Sequence, residues 1–499
     1  MKMRHLVALI VLVWATLLSS HPALAQFSQQ GPKLVAHAAG AAPSAFSLQS
    51  PANRSASEST TTAFSWGFSS GDATYTLEVA TDAGFGAANV VNQSGLTTTS
   101  YTLPTPLTPG VVHFWRVTAT NAGGALAAAN GPFEFSAPIP VGSGFPGSLA
   151  VTPDGTRVLV ARGDATNGFL ADVSVAGHAV TQAIPVGIAP AGVAIRSDGQ
   201  EAVVASSIGH SVSVVNLTNN TVKATIAVPC VGTTLYDVAY TPDGIRIVLP
   251  DLSNGCGIEG LRLITLATGA QTFVNISGAG NGVAVMPNGD SALNTRGILG
   301  TTLRRMNLAS SAVVTINNTS SSFGVAVTPD SSQAIVASGE GDTIKRINLA
   351  TNTVVGATPF GSNQDYHNVA ITPDGSQAVV VGDFNTALIS LTTDTVVTLY
   401  PDGGSNVAIS PDGKSAYISA YVSGNNVLLK VIRIPVAPRG DANGDGLVTV
   451  GDVFYLINYL FAGGPAPIGS GDANGDSSVT VSDVFYLINY LFAGGPPPH

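Results

Sequence analysis

The residues with the clearest chemistry lie in the last 60 positions. There GDANGDGLVTVGDVFYLINYLFAGGP recurs as GDANGDSSVTVSDVFYLINYLFAGGP with a period of 31, from Asp441 to Asp472. In the first copy Asp441, Asn443 and Asp445 stand at positions 1, 3 and 5 of a calcium loop, with Gly446 at position 6 and Asp452 at position 12. A hard cation takes about six to eight oxygens. Alternating short side chains, the carbonyl of Leu447, Thr449 directly or through water, and a closing carboxylate can supply them. The second copy offers Asp472, Asn474, Asp476, the carbonyl of Ser478, Thr480 and Asp483. Ser477 replaces the glycine of the sharp turn there, so this loop is expected to bind more weakly. Residues 441–499 hold six Asp and no Glu, Lys or Arg, a charge of −6 that two calcium ions reduce to −2. Without them, the three carboxylates of each loop repel one another.

Elsewhere the chemistry is sparse. Asp237, Asp365 and His367 fall in segments leading into strands and could polarise a water or hold a metal. One histidine with two separated carboxylates fits surface or capping roles better, and no catalytic residue is assigned. No nucleophile motif, phosphate loop or metal-binding histidine pair is present. Trp66 and Trp115 could face a sugar, but core positions are expected. Twenty Lys and Arg against 30 Asp and Glu, with no basic cluster, exclude a nucleic-acid partner.

The elements that must position these groups follow from composition. Only 10% of residues are charged, while Gly number 56 and Pro 30. That favours sheets and turns over salt-bridged helices. A strand ending in Pro-Asp-Gly or a near variant recurs at Asp154, Asp198, Asp243, Asn288, Asp330, Asp374 and Asp412, with spacings of 44, 45, 45, 42, 44 and 38. A period of about 40 to 45 points to propeller blades, here seven of them. Pro presets the first corner of the turn, Asp bonds its own backbone and Gly accepts positive φ, so the motif is a hairpin device. Pro138–Gly142 reads as an outer strand without a blade of its own, and Val427–Ile432 as a last strand without a partner. Pairing them would close the ring. Cys230 and Cys256 follow strands whose loops emerge on one face, and a disulfide between them is expected after export.

Residues 137–436 resemble the surface-layer and YVTN type of β-propeller, through IPVG, the VAVTPDG-like strands and VSVVNLTNNTV. Residues 45–136 form short alternating runs. Through YTLPTPLTPGVVHFWRVTATNAGG they resemble a fibronectin type III (Ig-like) sandwich, with Phe114 where that family usually has a corner tyrosine. After each C-terminal loop, Val453, Phe454, Leu456, Ile457, Leu460 and Phe461 repeat with helical spacing and are expected to form the buried stripe. Tyr455, Tyr459, Tyr486 and Tyr490 beside it are candidates for a partner contact or, equally, for ordinary packing between the two helices. This loop-plus-helix pair, residues 437–499, resembles a type I dockerin. The resemblance implies calcium binding and docking onto a cohesin-like partner, at a cell surface or in a polysaccharide-processing assembly. Loop positions 10 and 11, Val450-Gly451 and Val481-Ser482, lack the polar pair of cellulosomal members.

At the N-terminus Lys2 and Arg4, the apolar run Leu6–Leu18 and Ala23-Leu24-Ala25 read as an export signal, residues 1–25, followed by a tether, 26–44. Thirteen apolar residues are too few to span a membrane, which takes about 20. The expectation is a mainly β, exported, non-catalytic protein: a sandwich, a seven-bladed propeller presenting a surface to a carbohydrate or protein ligand, and a small all-α calcium-dependent anchor. The alternative is a secreted propeller enzyme, lactonase-like or a carbohydrate-active hydrolase or lyase, delivered by the same anchor.

Overall fold

The computed structural model describes residues 41–86, 89–229, 233–253, 258–277, 280–295, 301–317, 322–338, 343–359, 366–422, 426–435, 439–443, 448–464, 467, 470–476 and 478–498. The export signal, most of the tether, Cys230, Cys256, Asp365, Asp445, Gly446, Leu447 and Ser477 lie outside them. The described chain is mainly β and ends in two helices.

Two antiparallel sheets come first. One joins Leu48–Ser50, Ala63–Trp66 and Ser100–Thr102; the other joins Thr74–Ala80, Asn89–Leu96, Val112–Asn121, Gly124–Ala127 and Phe133–Ser136. Alternate residues of these strands point inward, and Phe64, Trp66, Leu77, Trp115 and Phe135 build one core. Trp66 and Trp115 are fully buried, so neither offers a face to a sugar. Phe114 packs on Ala80 and Phe85. A tyrosine elsewhere ties a bend: the Tyr75 hydroxyl accepts the Ser69 N–H at 2.8 Å.

Among the described residues, seven antiparallel sheets follow, and each of the first six is drawn from one repeat in chain order. The second shows the pattern: Pro190–Ile195, Glu201–Ser206, Ser211–Asn216 and Thr221–Ala227, paired in that order. Every residue of Glu201–Ser206 is buried, because the sheet is covered on both faces. Val203 and Ala205 join a core with the third sheet, while Ala202 and Val204 join one with the first. The period of two thus divides each strand between two neighbours. Only the outermost strand, Thr221–Ala227, is exposed along most of its length.

The first strands of the seven sheets touch in cyclic order, and the seventh touches the first. Ile139–Ser143 closes the ring by pairing with Asn426–Arg433, with Leu429 opposite Ile139 and Val427 opposite Gly142. Ile139 and Val141 are buried with Leu149, Val160, Tyr417 and Leu429 in the core between the last and first sheets.

The repeated turns line one face of this ring. In the first, Asp154 Oδ1 accepts the Thr152 hydroxyl at 2.6 Å and the Thr156 N–H at 3.0 Å, and Gly155 has φ +71°. The same pair of bonds recurs at Asp243, Asp330, Asp374 and Asp412. These bonds to the charged form hold the carboxyls below the usual range. Ser331 takes φ +61° where its sister turns have glycine, and its hydroxyl accepts the Asn288 N–H of the preceding turn at 3.0 Å. Arginines staple sheet to sheet on this side. Arg157 donates to the Leu217 carbonyl at 2.8 Å and pairs with the buried Asp172 at 2.6 Å, and Arg305 and Arg346 reach the Leu349 and Leu391 carbonyls.

The sandwich is bonded to the same ring. The Ser136 hydroxyl donates to the Val431 carbonyl at 2.8 Å, Asp402 Oδ2 accepts the Ala56 N–H at 2.6 Å, and Arg433 pairs with Glu134 at 2.8 Å.

Candidate metal loops and the axial mouth

The two C-terminal helices are Val450–Ala462 and Val481–Ala493. Each begins with a capping box, Thr449 with Asp452 and Thr480 with Asp483, and ends on a left-handed glycine, Gly463 or Gly494. Val453, Leu456, Val484 and Leu487 meet in a small shared core with Ala442 and Ala473. Position 12 of each proposed loop is therefore also the third residue of a helix, which fixes where its carboxylate points.

Asp483 Oδ1 accepts the Ala473 and Asn474 N–H groups at 2.9 and 3.2 Å, and Oδ2 accepts the Thr480 N–H at 2.8 Å. Asp452 does the same for Asn443 at 3.1 Å and Thr449 at 2.7 Å. At the start of the second loop, Asp472 Oδ1 accepts the Gly475 and Asp476 N–H groups at 2.8 and 3.1 Å, while Oδ2 meets Arg439 at 3.0 Å. Asn474 Oδ1 accepts the Asp476 N–H at 2.9 Å, and Asp476 Oδ1 accepts the Ser478 N–H at 2.9 Å. Successive turns of this kind curl the described part of the second segment around its oxygens.

Among the described residues, no three His, Cys, Asp or Glu side chains converge as a metal group. The remaining donors to hand are amides, hydroxyls and carbonyls, which suit a hard cation and no soft one. Asp441, Asp452 and Asp483 are fully buried, and Arg439 is the one Lys or Arg from 439 onward. Buried carboxylates are costly without a compensating cation, so the chain's groups fit calcium in kind and charge.

The helices correct the sequence reading. Phe454 and Phe461, expected within the buried stripe, are 66% and 68% exposed, with Val450 and Ile457 on the same side. The second helix repeats this with Val481, Phe485, Ile488 and Phe492. Of the candidate tyrosines, Tyr455 and Tyr486 are half-buried and pack against the shared core, the helix-packing alternative. The signal was the breadth of the apolar arc: two short helices cannot cover all of Val, Phe, Leu, Ile and Phe over three turns.

On the ring's other face, the loops leading into the inner strands surround an axial mouth of about 250 Å³. Asp237 and His367 both line it. Asp237 lies between two inner strands, where Oδ1 accepts the Val238 N–H and Oδ2 the Val283 N–H, each at 2.9 Å. Burial outweighs those bonds and pushes its pKa up to about 6. His367 does not stand alone: its Nε2 lies 2.7 Å from Asp383 Oδ1, with Phe323 edge-on to the ring at 6.0 Å. Asp383 was legible by counting outward from the Asp374 hairpin, since Tyr366 pairs with Gly382. Asn368 Nδ2 donates to Asn406 Oδ1 at 2.9 Å, and Asn406 Nδ2 to the Gly147 carbonyl at 3.1 Å, so amides link three sheets around the mouth.

These features define a mainly β body carrying a metal-loop module, and residues 439–492 match the family described as dockerin type I domain. Dockerin type I domains bind calcium and dock onto cohesins, which supports an assembly-anchoring role for this module. Among solved structures the chain is similar in fold to Kuenenia stuttgartiensis hydrazine synthase, at 20% identity and a TM-score of 0.52. That likeness covers 58% of this chain and 96% of the other. No curated protein matches the sequence. Among the described residues, no helix is long and apolar enough to cross a membrane.

Proposed function

We propose that this is an exported binding protein whose body is displayed through a calcium-dependent anchor. Its parts are an export signal (1–25), a fibronectin type III-like sandwich (45–136), a seven-bladed propeller of the YVTN type (137–436) and the dockerin module. Two calcium ions are held, one by Asp441, Asn443, Asp445, the Leu447 carbonyl, Thr449 and Asp452, the other by Asp472, Asn474, Asp476, the Ser478 carbonyl, Thr480 and Asp483. The ions neutralise the carboxylates and fix both helices, and Cys230 and Cys256 are bridged. A cohesin-like partner then meets an apolar helix face, Phe454 with Phe461 or Phe485 with Phe492, at the cell surface or in a secreted complex. The observation that carries this reading is the family match over a duplicated loop and helix whose phenylalanines point outward.

Catalysis at the mouth has less support. Both oxygens of Asp237 are taken by backbone N–H groups, and His367 is engaged by Asp383. Calorimetry with calcium should show two sites, and a cohesin should bind only with calcium present. Absence of calcium heat would refute the anchor. A hydrolytic activity abolished by replacing Asp237, Asp365 and His367 would overturn the non-catalytic reading.

A further inference from the structure

We infer that the axial mouth binds the end of a neutral oligosaccharide, with the stacked rings of Phe145 and Tyr421 as its platform. The inference rests on the reading above that the propeller binds rather than catalyses, and it names the ligand class.

The charge pattern restricts the ligand first. The carboxylate and the imidazole lining the mouth, Asp237 and His367, are already engaged, by backbone N–H groups and by Asp383. Among the described lining residues there is no lysine or arginine, so nothing there compensates a phosphate, a sulfate or a carboxylate. What lines the mouth instead is uncharged and bifunctional. Asn281, Asn368 and Asn406 offer amides, and Ser148, Ser405 and Tyr236 offer hydroxyls. Amides and hydroxyls both donate and accept, which matches a ligand whose own hydroxyls do both.

The rim supplies the apolar half. Phe145 directly precedes the lining residues Pro146 and Gly147, and Tyr421 lies at the same face, near the end of the strand Ser415–Val422. Their rings stack at 5.2 Å with 17° between planes, yet they are 56% and 44% exposed. Large rings normally bury their faces, and a preformed exposed stack therefore offers a flat apolar surface at little conformational cost. A pyranose ring has both complements, C–H faces for the stack and hydroxyls for the amides. A mouth of about 250 Å³ takes a chain end rather than a chain's length.

The test is titration calorimetry on the full-length chain in calcium, with cellotetraose, xylotetraose, mannotetraose and tetra-N-acetylchitotetraose, against acidic oligogalacturonate and a neutral Gly/Ser/Asn peptide. At least one neutral sugar should bind, and Phe145→Ala and Tyr421→Ala should each weaken it roughly tenfold with an unchanged melting temperature. Asn406→Ala, which breaks the amide link, should do likewise, and Asn406→Gln tests whether any loss there is only structural. No binding of any neutral sugar, binding indifferent to both ring variants, or preference for the acidic sugar or the peptide overturns the proposal. The same variants should capture a cohesin normally. Failure of that capture with sugar binding intact would count against the anchoring reading alone.

Discussion

The ring and the C-terminal module solve the same problem, burying polar groups, by opposite means. In the ring every repeated aspartate is satisfied within its own turn, and each sheet is covered by its neighbours. Closure by Ile139–Ser143 gives the seventh sheet its fourth strand and covers the open side of Asn426–Arg433. The module instead buries Asp441, Asp452 and Asp483 in a core of few apolar side chains, with Arg439 as its basic residue. The ring is thus held by area, hydrogen bonds and ion pairs that chelators leave alone, whereas the module buries carboxylates that call for a cation it does not itself supply. On the function proposed above, calcium switches assembly through the anchor while the displayed body stays folded.

The strongest way to break this contrast is to open the ring. Deleting residues 137–142 removes the closing strand and the buried Ile139 and Val141, and should lower the ring's melting temperature by roughly 10 °C or more in calorimetry. An unchanged melt would mean the seventh sheet does not need that strand. Next in size is the module. Asp441→Ala with Asp472→Ala should abolish calcium heat and remove about 2.7 kcal/mol of stabilisation per site at a hundredfold excess of calcium over Kd. The ring's transition should not move, and if it fell as well the two regions would not be independent.

Asp237 sharpens the comparison from inside the ring. Its native pKa of about 6 lies above the unfolded value of about 3.9, so the folded state binds the proton more readily. The ring should therefore gain stability, up to about 3 kcal/mol, as pH falls from 6 towards 4, and lose it again as pH rises through 6. The turn aspartates have the opposite sign: their depressed pKa values contribute stability above about 4 that is lost on further acidification. Asp237→Asn should flatten melting temperature against pH between 4 and 7, and an unaltered profile would show that another group titrates there. The smallest effect belongs to Ser331→Gly. Relief of left-handed strain, about 1 kcal/mol, offsets the lost bond to the Asn288 N–H, so the melt should stay within about 0.5 kcal/mol of wild type.

Much of this was legible because it is local. The turn chemistry at Pro153-Asp154-Gly155, the orphan strand before the first repeat and the loop spacing at Asp441 and Asp472 are each set within a dozen residues, and the repeat of 38 to 45 residues needs only counting along the chain. Two errors came from treating an apolar residue as an inward one. Phe454 and Phe461 carry the same hydrophobicity as Val453 and Leu456, and only the number of elements available to cover them decided which were buried. The candidate site at the mouth was half read. Asp237 and His367 were visible as titratable residues before inner strands, but Asp383 and the Asn368–Asn406–Gly147 link arise from pairing and from neighbouring sheets.

By itself the sequence determined the mainly β body, its seven repeats and the oxygen-bearing residue types of the C-terminal loops, since each depends on backbone preference and spacing along the chain. Tertiary structure alone decided which side chains remain for partners. Burial, the pairing of His367, the stacking of Phe145 on Tyr421 and the outward turn of Phe454 depend on what packs nearby, and for Phe145 that neighbour is 276 residues away in the chain.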